Sequence, residues 1–171
     1  DSSSYFSLTD TEFDLVTTTG KLYLGDRDSS TKVDYVSFVG ITYTSGTAGI
    51  YAKSNYGSIG EVEFLTTAST FTNAVTAECS GAMVASAAVT SSAGSMALTS
   101  GTTLTTTAAL QATASSKTVT VAAGGNTSLA AISSHGALTV ITSSSGTLSV
   151  GGALSATSGT ITLNSASTLL Q

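Results

Sequence analysis

Proton transfer needs a titratable group held by a partner, and the sequence offers one histidine, His135, set between Ser134 and Gly136 with no carboxylate close by in the chain. Such a residue reads as a corner side chain facing solvent. Oxygen ligands for a metal are the next candidates. Carboxylates gather as Asp10, Glu12 and Asp14, and again as Asp26 and Asp28 with Asp34 further on. The stretch Gly25-Asp26-Arg27-Asp28-Ser29-Ser30 has the composition of a calcium loop, which makes Asp26 and Asp28 the metal candidates. Against it, Arg27 separates the two carboxylates and no bidentate glutamate follows at EF-hand spacing, so the competing reading is a solvated polar turn. No cofactor besides that calcium is expected. Cys79 is the only cysteine, has no partner for an internal disulfide, and reads as a small buried or half-buried residue, the alternative being an intermolecular bridge or reactive thiol. Asn126-Thr127-Ser128 fits the acceptor pattern for N-glycosylation. Sugar-cleaving chemistry would need clustered carboxylates or bases along one groove, and after Glu78 none can be assembled, so no enzymatic activity is expected.

The elements that carry these residues fall into two regions of different composition. All eleven aromatic residues lie between Tyr5 and Phe71, and after Phe71 the only charged residues are Glu78 and Lys117. Residues 1–71 read as a β-rich capping or adaptor region, with strand-like segments such as Phe13–Val16, Lys21–Leu24 and Val33–Val39 punctuated by glycines. The 171 residues hold no proline and only 9% charged residues at a net charge of -5, so strands keep every N–H donor and no basic patch exists for nucleic acid. The chain begins at Asp1 and has no run of 18 apolar residues, so neither a signal peptide nor a membrane span is expected within it.

Residues 72–171 repeat. Apolar-x-apolar pairs begin at Val75, Met96, Val119, Leu138 and Ile161, spaced 21, 23, 19 and 23 residues apart. A second apolar position follows at Met83, Leu104, Leu129, Leu148 and Leu169, and a third at Val89, Leu110, Ile132 and Leu154. The local period of two excludes helices. Three short strands per repeat predict an all-β fold, a parallel β-helix (β-solenoid) with three-stranded rungs of 19–23 residues behind the N-terminal cap. The inward core is predicted at Val75, Met96, Leu98, Val119, Val121, Leu138, Val140 and Leu148, with aromatic rings kept out of the narrow interior of the repeats.

The run Gly136-Ala137-Leu138-Thr139-Val140, Gly146-Thr147-Leu148-Ser149-Val150 and Gly159-Thr160-Ile161-Thr162-Leu163 resembles repeats of filamentous-haemagglutinin-like adhesins and autotransporter passengers. The resemblance covers residues 72–171. It implies a right-handed parallel β-helix, secretion, and a role in adhesion or fibre building.

The expected function is accordingly that of an extracellular, cell-surface structural protein, its own partner in a head-to-tail filament. Ile161, Leu163, Leu169 and Leu170 would form the assembly surface, because an incomplete last rung bares apolar core and backbone that either further chain or another copy completes. Two alternatives share the scaffold. One is an adhesin that binds glycans or protein through N-terminal aromatics such as Tyr43, Tyr51 and Tyr56. The other is an ice-binding solenoid presenting the outward column Thr76, Ala97, Thr120, Thr139 and Thr162, which Ala97 interrupts.

Overall fold

In the computed structural model, which describes residues 5–7, 10–16, 18–26, 33–44 and 48–170, the chain winds into a parallel β-solenoid of about six turns. After β1 (Tyr5–Ser7) and a short helix, α1 (Asp10–Asp14), which takes Phe13 where the sequence predicts a strand over Phe13–Val16, each turn supplies three strands. Turn 1 holds β2 (Lys21–Gly25), β3 (Tyr35–Val39) and β4 (Thr42–Tyr43); turn 2 holds β5 (Gly49–Ser54), β6 (Glu61–Leu65) and β7 (Ser69–Phe71). Turn 3 is β8 (Val75–Cys79), β9 (Met83–Ala85) and β10 (Val89–Ser91), and turn 4 is β11 (Met96–Ser100), β12 (Leu104–Thr106) and β13 (Leu110–Ala112). Turn 5 is β14 (Val119–Ala123), β15 (Thr127–Leu129) and β16 (Ile132–Ser134), and turn 6 is β17 (Leu138–Thr142), β18 (Thr147–Val150) and β19 (Leu154–Ala156). The seventh turn has two described strands, β20 (Ile161–Asn164) and β21 (Ser167–Leu170).

Equivalent strands pair in parallel and make the three sides of the solenoid: a first sheet of seven strands from β2 to β20, a second of eight from β1 to β21, and a third of six from β4 to β19. The strands of turns 1 and 2 belong to these same sheets. Solenoid geometry therefore extends into the region that composition sets apart as a cap.

Alternation along each strand sends every second side chain inward, and the register stacks these into columns. In the first sheet one column runs Ile50, Val75, Met96, Val119, Leu138, Ile161 and its neighbour runs Ala52, Ala77, Leu98, Val121, Val140, Leu163. Val75, Met96, Leu98, Val119, Val121, Leu138, Val140 and Leu148 are all at most 1% exposed. Removing each such side chain from water contributes roughly 1.5 to 3 kcal/mol. The same alternation organises the backbone. N–H groups of inward residues donate to the following turn, as from Val75, Met96, Val119 and Leu138 to Ser95, Thr118, Ala137 and Thr160 at 2.9 to 3.1 Å. Outward residues donate to the preceding turn, as from Thr70 to Ile41 at 2.7 Å and Thr72 to Tyr43 at 3.0 Å.

In the early turns, unlike the repeats of residues 72–171, aromatic rings fill the column: Phe38 and Phe64 stack at 4.8 Å and 10°, and Phe71 meets Phe38 edge-on at 5.8 Å. The space comes from a small neighbour, since the position after Phe64 in that column is Ala85. The second strands are registered differently from the sequence expectation. Met83, Leu104, Thr127, Leu148 and Thr168 share one column, while Leu129 lies level with Val150 and Leu170. For Leu129 the shift is two residues, which keeps it inward. For Leu169 it is one residue, which places it in the outward column of Ser149 and leaves Leu170 on the inward one.

The two ends are unlike. At the start, α1 folds under turn 1, where Phe13 is buried with its ring centroid 5.7 Å from Tyr43 and 6.3 Å from Phe38. The Asp10 carboxylate accepts the Thr42 N–H, one of the donors that face away from turn 2, so α1 covers both core and edge there. At the far end Ile161 and Leu163, in register with buried Leu138 and Val140, are 44% and 40% exposed.

Candidate functional site: outer columns, corners and the uncovered turn

The outward face of the first sheet stacks Tyr23, Tyr51, Thr76, Ala97, Thr120, Thr139 and Thr162 in one column. The third sheet stacks Thr42, Thr70, Thr90, Gln111, Ser133 and Ser155, a hydroxyl or carboxamide on every turn. The last two members of that column touch, the Ser155 hydroxyl donating to Ser133 Oγ at 3.2 Å. Charge is confined to the early turns of the faces: Lys53 and Glu78 are level on adjacent strands, and Glu78 accepts the Tyr51 hydroxyl at 2.7 Å. That bond and the burial of the ring push the Tyr51 phenol up to about 12, burial being the larger cause. On the second sheet Glu61 and Glu63 point the same way two residues apart; burial first, then the Glu63 charge, raises the Glu61 carboxyl.

The sequence candidates take up these positions. His135 sits half-buried at a corner, where Nδ1 accepts the Ser116 N–H at 3.3 Å and lies 3.2 Å from Ser158 Oγ, while the Ser158 hydroxyl also reaches the His135 carbonyl at 2.7 Å. Its contacts brace three successive turns. Cys79 is buried, its thiol directed to the carbonyls of Ala82 at 3.2 Å and Gly81 at 3.5 Å. Desolvation outweighs the neighbouring backbone donors and pushes that thiol up to about 11. Asp26 is buried; Oδ2 accepts the Asn55 N–H at 2.7 Å, and Oδ1 has no partner among the described residues. Asp28, the other calcium candidate, lies outside the described residues, and no group of three His, Cys, Asp or Glu side chains gathers among the described ones. Asn126 is exposed at a corner, its Oδ1 accepting the Thr147 N–H of the next turn at 3.0 Å. Tyr43 is core, its hydroxyl donating to the Val16 carbonyl at 3.2 Å, so it cannot meet a ligand; Tyr51 and Tyr56 reach the surface.

Ile161, Leu163, Leu169 and Leu170, the assembly candidates, are all exposed on the last described turn, with Leu170 the most open at 78%. By the pattern of the earlier turns, the N–H groups of Ile161 and Leu163 point away from turn 6, whereas the Thr162 N–H points back to it. The uncovered edge thus offers backbone donors at the inward residues, beside their apolar side chains.

Nothing in residue order marks Lys21 and Lys117 as companions, yet the turns bring both to one corner groove of about 410 Å³. The one available signal is that each stands just ahead of an inward first-strand residue, Lys21 one residue before Leu22 and Lys117 two before Val119.

No helix among the described residues is long and apolar enough to cross a membrane. The chain matches no family model, no curated protein and no solved structure. Of the resemblance read from the repeats, the parallel β-solenoid is present in the fold, and kinship with the adhesin families rests on the repeat pattern alone.

Proposed function

We propose that the chain is an extracellular structural protein that self-associates end to end through its uncovered turn. The observation that carries this reading is the contrast between the ends. Phe13 and Asp10 close the first turn, and the last described turn leaves Ile161 and Leu163 bare in columns that are otherwise buried. Such an edge accepts further strands of matching register, whichever chain supplies them, by hydrogen bonding and apolar burial together. A second copy is the supplier proposed here.

Geometry bears on the joint. Head-to-tail stacking, which would give an open filament, has to displace α1 from beneath β4, whereas two open ends meeting about a two-fold axis leave α1 in place and give a two-chain rod. The second arrangement is favoured. Electron microscopy with sedimentation of the 171-residue protein separates the outcomes: rods of twice the monomer length support it, filaments support head-to-tail stacking, and monomers at every concentration refute self-association. Ile161→Pro is the informative variant. It removes an edge-facing N–H, whereas Pro at Thr162 would break a bond to turn 6 and confuse assembly with folding.

The unbroken hydroxyl and carboxamide column of the third sheet favours a second reading, ice binding, on a face other than the interrupted threonine column of the first sheet. Thermal hysteresis abolished by Thr90→Lys, with the fold retained, would support it; its absence in the parent protein would end it.

A further inference from the structure

The corner groove before the first sheet is lined by Lys21, Gly49, Asn73, Ala74, Gly94 and Lys117, among others, and runs from turn 1 to turn 5. At about 4.8 Å per turn its ends are about 19 Å apart. We infer that this groove binds a linear acidic polysaccharide lying along the solenoid axis, with Lys21 and Lys117 holding acid groups of well-separated sugar units.

Three observations support it. In a chain of net charge -5, two of five basic residues meet in one groove, and among the described residues no ion pair engages either ammonium. Small corners form the groove floor: a Cβ at Gly94 would lie 2.0 Å from the Ala74 nitrogen, so consecutive turns stack there more closely than any other residue allows. Beside the groove an aromatic surface begins, where Lys21 Nζ sits 5.5 Å from the centre of the Tyr51 ring and Tyr23 packs on Tyr51 at 5.2 Å. The apolar face of a pyranose ring fits such a surface, and the Tyr51 bond to Glu78 holds the ring in place.

An acidic peptide fits less well. Backbone groups at this corner are already engaged between turns, as in the bonds from Ile50 to Ala74 at 2.8 Å and from Val75 to Ser95 at 3.0 Å. No strand edge is left in the groove for a peptide main chain to pair with. Recognition therefore falls to side-chain ammonium and phenol groups, which suit hydroxylated, acid-bearing rings.

The test is titration calorimetry of the full chain with oligogalacturonate, a sulfated galactan oligomer, a neutral β-glucan oligomer and poly-L-glutamate. Oligogalacturonate or the sulfated galactan should bind, more weakly as salt rises, and Lys21→Gln and Lys117→Gln should each weaken binding about fivefold. Tyr23→Ser should weaken it as well. Both lysines carry their ammonium at the surface, so thermal melting of each variant should match that of the parent and exclude misfolding. Failure of both acidic glycans to bind, indifference to the lysine substitutions, or equal binding of poly-L-glutamate or the neutral glucan overturns the inference. Ile161→Pro leaves this binding unchanged, which separates it from the end-to-end association.

Discussion

Cys79 shows how one residue type is set by its column. It is level with Ser54 on one side and Ser100 on the other, and Ser100 with Ala123 beyond, an inward slot beside the corner that takes only small side chains. Burial favours the protonated thiol, whose value rises from 9.0 to about 11. The proton is bound more tightly in the folded chain, so this contribution to stability is intact below pH 9 and is lost as pH climbs through about 11. Cys79→Ala should therefore leave stability at pH 7 nearly unchanged and flatten its decline between pH 9 and 11, as urea melts across that range would show. Alkylation by iodoacetamide at pH 8 should run about a hundredfold slower than for a free thiol, from the lower thiolate fraction alone. A fast reaction would mean that the thiol is open to solvent. Burial of Cys79 was legible from its type, a lone small apolar residue, but its carbonyl partners belong to the corner fold and leave no mark on residue type.

At the scale of strands, a substitution one residue along should change sign with the alternation. Leu138→Asp places a carboxylate in a fully buried column and should cost about 3 kcal/mol or more, whereas Thr139→Asp, outward on the same strand, should cost less than about 1 kcal/mol. Equal urea midpoints for the two would refute the register. Corners give a less obvious case. Gly124 is exposed, yet a Cβ there would lie 2.1 Å from the Gly101 carbonyl oxygen of the turn before, so Gly124→Ala should cost about 1 to 3 kcal/mol while Ser144→Ala at another exposed corner is neutral. The later turns were legible because their aliphatic pairs recur at 19 to 23 residues. The earlier ones were hidden: register partners Lys21 and Gly49 are 28 residues apart, and phenylalanines replace the aliphatic signature inside. The Leu169 slip has the same root, since two adjacent leucines fit either face of a strand and only the hydrogen-bonded register chooses between them.

For the whole molecule, the uncovered turn carries no charged residue between Ile161 and Leu170, so the end-to-end joint should keep its strength from low to high salt, whereas glycan binding at the lysine groove weakens. Sedimentation and calorimetry over the same salt series would part the two. The stacked register has a mechanical side as well. Each turn is hydrogen-bonded to the turn before and the turn after it, so a pull on the C-terminal end loads one turn's bonds at a time. Every turn released would lengthen the chain by about 70 Å. In an optical trap the molecule should yield as a staircase of small steps beginning at the bare end and halting last at the aromatic turns, where stacked phenylalanines hold the coil; a single long rip would show instead that the turns share their load.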